Sequence, residues 1–120
     1  MKGALVVAHG SRASETESVV EAVAAMAARK LGGMEIECAF MEFSGRTIEA
    51  GIEALVSRGV TEIIIAPYFL FMGIHMKEDI PRMAAECAAR RPDVKVTMGA
   101  PLNADERLAD ILADRIGDAL

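Results

Sequence analysis

The chain contains two histidines, His9 and His75, and each follows a stretch that reads as a β-strand. Imidazole is the commonest side-chain metal ligand and the one side chain whose charge ordinarily changes near neutral pH. Either histidine alone reads equally well as an ordinary loop residue; two at the ends of neighbouring strands read as a site. Glu42 adds to them. It continues the parity of Ile36, Cys38 and Phe40, so it places a carboxylate at the end of an apolar face, where it needs a cation, a hydrogen-bond donor or solvent. The plainer alternative is that the strand stops there and Glu42 is simply wet. A His/Glu/His set across three strands would form a nitrogen- and oxygen-rich divalent-metal site with open positions. Those ligand types admit iron, cobalt, nickel and zinc and do not choose among them.

The same sheet edge gathers other chemistry. All five aromatic residues, Phe40, Phe43, Tyr68, Phe69 and Phe71, fall between positions 40 and 71. The stretch from Tyr68 to Ile74 is too apolar for an ordinary loop. It reads either as the wall of a pocket for a flat ligand, with Phe69 and Phe71 against it, or as a surface folded onto a helix or a partner subunit. Arg12, Arg46, Lys77 and Arg82 supply local positive charge that suits a polycarboxylate, although any one of them alone reads as a solvated loop residue. No GxxxxGK[ST] sequence is present, which argues against a P-loop ATPase, and no GxGxxG follows the first strand.

These residues need elements to position them. Gly3–Ala8 is a continuous apolar run, as expected for a strand covered on both faces. Ser14-x-x-Glu17 reads as a capping box opening a helix, with Val19, Val20, Val23, Met26, Ala27 and Leu31 on its inner stripe and Gly32-Gly33 ending it. A second strand spans about Met34 to Glu42, and a second helix carries Ile48, Ile52, Leu55 and Val56 inward as far as Gly59. Thr61–Tyr68 is the third strand, with Ile63, Ile64 and Ile65 as its buried centre. A loop containing His75 leads to Pro81, read as the first residue of a third helix. Val94–Ala100 is the fourth strand, and Asp105–Leu120 the last helix, with Leu108, Ile111, Leu112 and Ile116 inward. The strict alternation predicts an α/β fold with a four-stranded parallel sheet, helices on both faces, and the flavodoxin-like strand order 2-1-3-4. Ligands in such sheets bind beyond the carboxyl ends of the strands.

Composition bounds the rest. The 120 residues suit one domain, 1–120, and 52% apolar content excludes a disordered chain. A net charge of −5 argues against a general nucleic-acid partner. The longest apolar run, Ile63–Ile74, is shorter than the roughly 20 residues a membrane helix needs, and the N-terminal run lacks the pattern of a signal peptide. Cys38 and Cys87 form no CxxC pair; two buried free thiols in a cytoplasmic protein are expected.

A family resemblance runs through these same segments. Leu5-Val6-Val7-Ala8-His9-Gly10-Ser11-Arg12 resembles the opening motif of the small class II tetrapyrrole chelatases. Ala39-Phe40-Met41-Glu42-Phe43 is similar to their second-strand motif. The segment from Ala66 to Pro81, APYFLFMGIHMKEDIP, resembles their longest and most specific one, and Ala100-Pro101-Leu102 follows in step. The resemblance implies a short, single-domain sirohydrochlorin chelatase that inserts Co²⁺, Fe²⁺ or Ni²⁺ into a reduced tetrapyrrole without ATP. It also implies His9 and His75 as metal ligands with Glu42 as a third contact, and a homodimer. Arg12, Arg46 and Lys77 would then hold the macrocycle's carboxylates. The chain departs from the family pattern after Glu42: Ser44-Gly45-Arg46-Thr47 stands where an acidic residue and a proline are usual. The alternative function is a divalent-metal carrier or sensor without catalysis. A phosphohistidine enzyme using His9 is disfavoured because Ala8, not Arg, precedes it.

Overall fold

Four apolar segments pair side by side because each carries branched or small residues that fit a sheet covered by helices. The computed structural model describes residues 1–13 and 15–120. The strands are β1 (Lys2–Ala8), β2 (Glu35–Phe40), β3 (Glu62–Pro67) and β4 (Lys95–Met98). They form one parallel sheet in the order β2-β1-β3-β4, as expected from the alternating pattern. The helices are α1 (Glu15–Lys30), α2 (Ile48–Ser57), α3 (Ile74–Arg90) and α4 (Glu106–Ala119). Ser14, the expected cap of the first helix, lies outside the described residues.

Period-two alternation divides the sheet between two apolar clusters. Leu5, Val7, Ile63 and Ile65 face α2 and α3, where Ile48, Ile52, Leu55, Ile80, Ala84 and Cys87 close the larger core. Ala8, Cys38 and Phe40 face α1 and meet Val20 and Ala24 in the smaller one. Gly51 lets α2 approach β1: a Cβ there would run into the Leu5 side chain. Thr47 caps α2, its hydroxyl oxygen accepting from the Ala50 N–H at 3.1 Å.

Several expectations need correction. α3 begins at Ile74, not Pro81; Gly73, in an extended conformation, precedes its first turn and accepts from the Lys77 N–H at 3.0 Å. Pro81 sits inside the helix, which forgoes the bond a proline cannot donate. His75 therefore stands on the first helical turn and not in a loop. Ile64 is 38% exposed because its side of β3 carries no helix. On α1, Val20 and Ala24 are buried, whereas Val19, Val23 and Met26 are exposed, as is Leu31 just beyond its end. No residue of α4 is buried, and Ile111, Leu112 and Ile116 face outward. The radius of gyration, 15.0 Å, exceeds the roughly 13.6 Å expected of a compact domain of this length, and the extents are 53 × 33 × 26 Å.

Candidate metal centre at the strand ends

β1 and β2 are parallel, and their ladder continues past both strands. The Met41 N–H donates to Ala8 O at 3.0 Å, and the Glu42 N–H donates to His9 O at 2.9 Å. Residues 33 apart in sequence are thereby held side by side, and His9 Nε2 lies 3.2 Å from Glu42 Oε2. Gly10 makes this approach possible. Its φ of +92° lies in the left-handed region, and a Cβ would collide with the Glu42 carbonyl oxygen. Sequence reasoning named His9 and Glu42 but missed Gly10; the signal was a glycine directly after a strand-end histidine.

The pair has a definite chemical sense. When Nε2 carries its proton toward the carboxylate, Nδ1 is left with a free lone pair. A carboxylate bonded to the far nitrogen of a metal-binding histidine fixes the ring and raises its basicity. Both side chains are about half exposed, at 54% and 51%, so a metal ion can reach and leave them freely. His75 is exposed on the first turn of α3. Among the described residues no three His, Cys, Asp or Glu side chains stand close enough to hold a metal ion together. The structure thus brings His9 and Glu42 together and leaves His75 outside their cluster.

The expected substrate contacts divide in a similar way. Phe69 and Met72 turn inward and pack against the larger core. Phe71, at 76% exposure, faces solvent with Leu70 and Ile74. Arg12 lies over the Phe43 ring, 4.9 Å from its centroid, and Phe43 takes a left-handed φ of +57° just after Glu42. Arg46 is engaged elsewhere. Its guanidinium bonds Glu21 and Glu17, approaches Glu37 at 3.9 Å and stacks over Phe40. The segment that departs from the family pattern is therefore structural: Ser44 Oγ accepts from the Arg46 N–H, Arg46 O accepts from the Phe40 N–H, and Thr47 caps α2. Arg82 pairs with Asp79 and Glu86 on its own helix. Among the described residues Arg12 and Lys77 enter no ion pair with a side chain. Beneath Arg46, burial pushes the Cys38 thiol up despite the guanidinium beside it, so this cysteine remains an unreactive core residue.

A family model described as CbiX matches residues 3–119. The chain belongs to the CbiX family. It is 35% identical over 125 residues to the sirohydrochlorin cobaltochelatase of Methanosarcina barkeri, covering 98% of this chain and 96% of that protein. It is 37% identical over 118 residues to the sirohydrochlorin ferrochelatase of Priestia megaterium, covering 98% of this chain but 44% of that one. Among solved structures, the sirohydrochlorin chelatase SirB from Bacillus subtilis subspecies spizizenii, in complex with cobalt, superposes with a TM-score of 0.85 at 31% identity. That match covers 98% of this chain and 50% of SirB. This CbiX chain thus spans nearly the whole of one relative and about half the length of the others.

Proposed function

We propose that this CbiX chain inserts a divalent metal, cobalt by preference, into sirohydrochlorin without ATP. The observation that carries the reading is the His9–Glu42 pair at the carboxyl ends of β1 and β2, in a chain similar throughout its length to a cobaltochelatase. The metal is a substrate here, and an exposed site suits an ion that must be released. His9 Nδ1 presents the ion, Glu42 orients the ring, and His75 supplies a second imidazole from the rim of α3. The macrocycle lies against Phe71, with its carboxylates toward Arg12 and Lys77; Phe69 supports that wall from beneath, and Arg46 fixes the loop that carries Glu42. Insertion exchanges two pyrrole N–H protons for M²⁺. The His9–Glu42 pair, freed of the ion, accepts one of these protons as the metal leaves it, and the other passes to solvent water.

The protein acts as a homodimer in the cytoplasm. Two free buried thiols fit a reducing compartment. Among the described residues no helix is long and apolar enough to cross a membrane.

The test is anaerobic incubation of the purified protein with sirohydrochlorin and Co²⁺, Fe²⁺ or Ni²⁺ in turn, following the tetrapyrrole's absorbance. Insertion faster than in the protein-free control, with Co²⁺ fastest, is expected. Stoichiometric metal binding with no acceleration for any of the three ions would refute the chelatase reading and point to a carrier or sensor.

A further inference from the structure

Phe43 holds a backbone conformation that its own side chain does not explain. It follows Glu42 directly, takes a left-handed φ of +57° and is 55% exposed. Among the described residues the other non-glycine with a positive φ is Asn103, and asparagine visits that region readily because its short amide bonds locally. Phenylalanine has no such bond to make. Its ring belongs to neither apolar cluster, so burial does not offset the strain. Strain of this kind persists where the surroundings over-determine it, and it gathers at functional sites. Here hydrogen bonds hold the chain on either side of the turn. The Glu42 N–H donates to His9 O at 2.9 Å before it, and Ser44 Oγ accepts from the Arg46 N–H at 3.0 Å after it.

The turn brings the ring to the segment that follows β1. Arg12 Cζ lies over it, 4.9 Å from the centroid. Arg12 is held from its own side as well: Ser11 Oγ accepts from the Ala13 N–H at 3.0 Å, and Ala13 O accepts from the Thr16 N–H at 3.3 Å. Arg46 and Arg82 are committed to carboxylates, whereas among the described residues Arg12 pairs with none. The difference matters for an anion arriving from solvent. A carboxylate partner would fix the guanidinium and cancel its charge. An aromatic ring fixes it through its face, leaving the charge and the in-plane N–H groups to a carboxylate from outside.

The ring and the candidate metal centre share a short stretch of backbone. Glu42, whose carboxylate meets His9 Nε2 at 3.2 Å, immediately precedes Phe43. β2 and β3 flank β1, so the segments carrying Phe43 and Phe71 leave the sheet on opposite sides of the strand that ends at His9. From these observations we infer that Phe43 is a positioning residue. It holds the Arg12 guanidinium, with its charge uncompensated, where a peripheral carboxylate of the tetrapyrrole is received. The left-handed turn is kept because it delivers the ring to Arg12. The inference rests on the tetrapyrrole reading proposed above and adds to it the residue that aims the cation.

The test is binding of sirohydrochlorin to the metal-free full chain, followed anaerobically through the tetrapyrrole's absorbance. Arg12→Gln is expected to raise the dissociation constant about 10–30-fold. Phe43→Leu, which removes the ring from beneath the cation, is expected to raise it about 3–10-fold. Introduced into the Arg12→Gln chain, Phe43→Leu is expected to add less than about twofold, because it acts through Arg12. Phe43→Tyr keeps the ring and is expected to bind within about twofold of the wild type. Phe43→Asn separates this role from a structural one. It suits the left-handed turn, so its urea midpoint rises while its binding weakens as in Phe43→Leu. Equal losses from Phe43→Leu with and without Arg12, or Phe43→Asn binding like the wild type, overturn the inference. So does binding that falls only in step with the folded fraction, which would make the ring structural. The expected pattern of binding, in a wild type that inserts no metal, upholds the inference and refutes the chelatase reading. A wild type that binds no sirohydrochlorin overturns both.

Discussion

At the scale of single residues, the site depends on a glycine as much as on the residues with chemistry. His9 and Glu42 meet because two backbones run in register beyond their strands, and Gly10 is the residue that lets them do so. Gly10→Ala meets two obstacles at once, a left-handed φ and a Cβ driven into the Glu42 carbonyl. It is expected to destabilise the fold by about 1–3 kcal/mol, read from the urea midpoint, and to slow metal insertion more than that loss of folded protein explains. Unchanged insertion by the folded Gly10→Ala protein would show that the turn does not position the pair. The chemical residues were legible in the sequence because their types are rare and their places follow from strand ends. Gly10 was not, since its necessity lies in a contact with a residue 32 positions away.

At the scale of elements, the strands and the order of the sheet were legible because alternation of apolar runs and helical periods leaves few topologies. The start of α3 was misread because proline ordinarily marks a helix's first turn, whereas here Gly73 opens it and Pro81 is carried inside. The inward faces of α1 and α4 were misread for a different reason: periodicity reports that a face is apolar and not which surface, or whose, it meets. Close packing makes two glycines opposite in effect. Gly51→Ala pushes a methyl into Leu5 and is expected to cost about 1–2 kcal/mol, an overpacking penalty that outweighs the gain in helix propensity. Gly117→Ala in α4 meets nothing and is expected to stabilise by about 0.5–1 kcal/mol. Paired urea titrations check both, and equal midpoints for the two variants would contradict the close approach of α2 to β1.

At the scale of the whole molecule, the chain is a half-finished shell around a strand-end site. One face of the sheet is covered by α2 and α3, the other is covered by α1 over half its width, and α4 has no buried residue. The strand-end edge stays open to solvent, with Phe71 on one side and Arg12 over Phe43 on the other. The central claim is that the His9–Glu42 pair delivers the metal. It is tested most directly by the single-turnover rate of Co²⁺ insertion into sirohydrochlorin, compared among the wild type, His9→Ala and Glu42→Gln at matched folded concentration. The account expects His9→Ala to fall to the protein-free rate, and Glu42→Gln to fall about 10–100-fold as the imidazole loses its orienting partner. A His9→Ala protein inserting metal at the wild-type rate would contradict it.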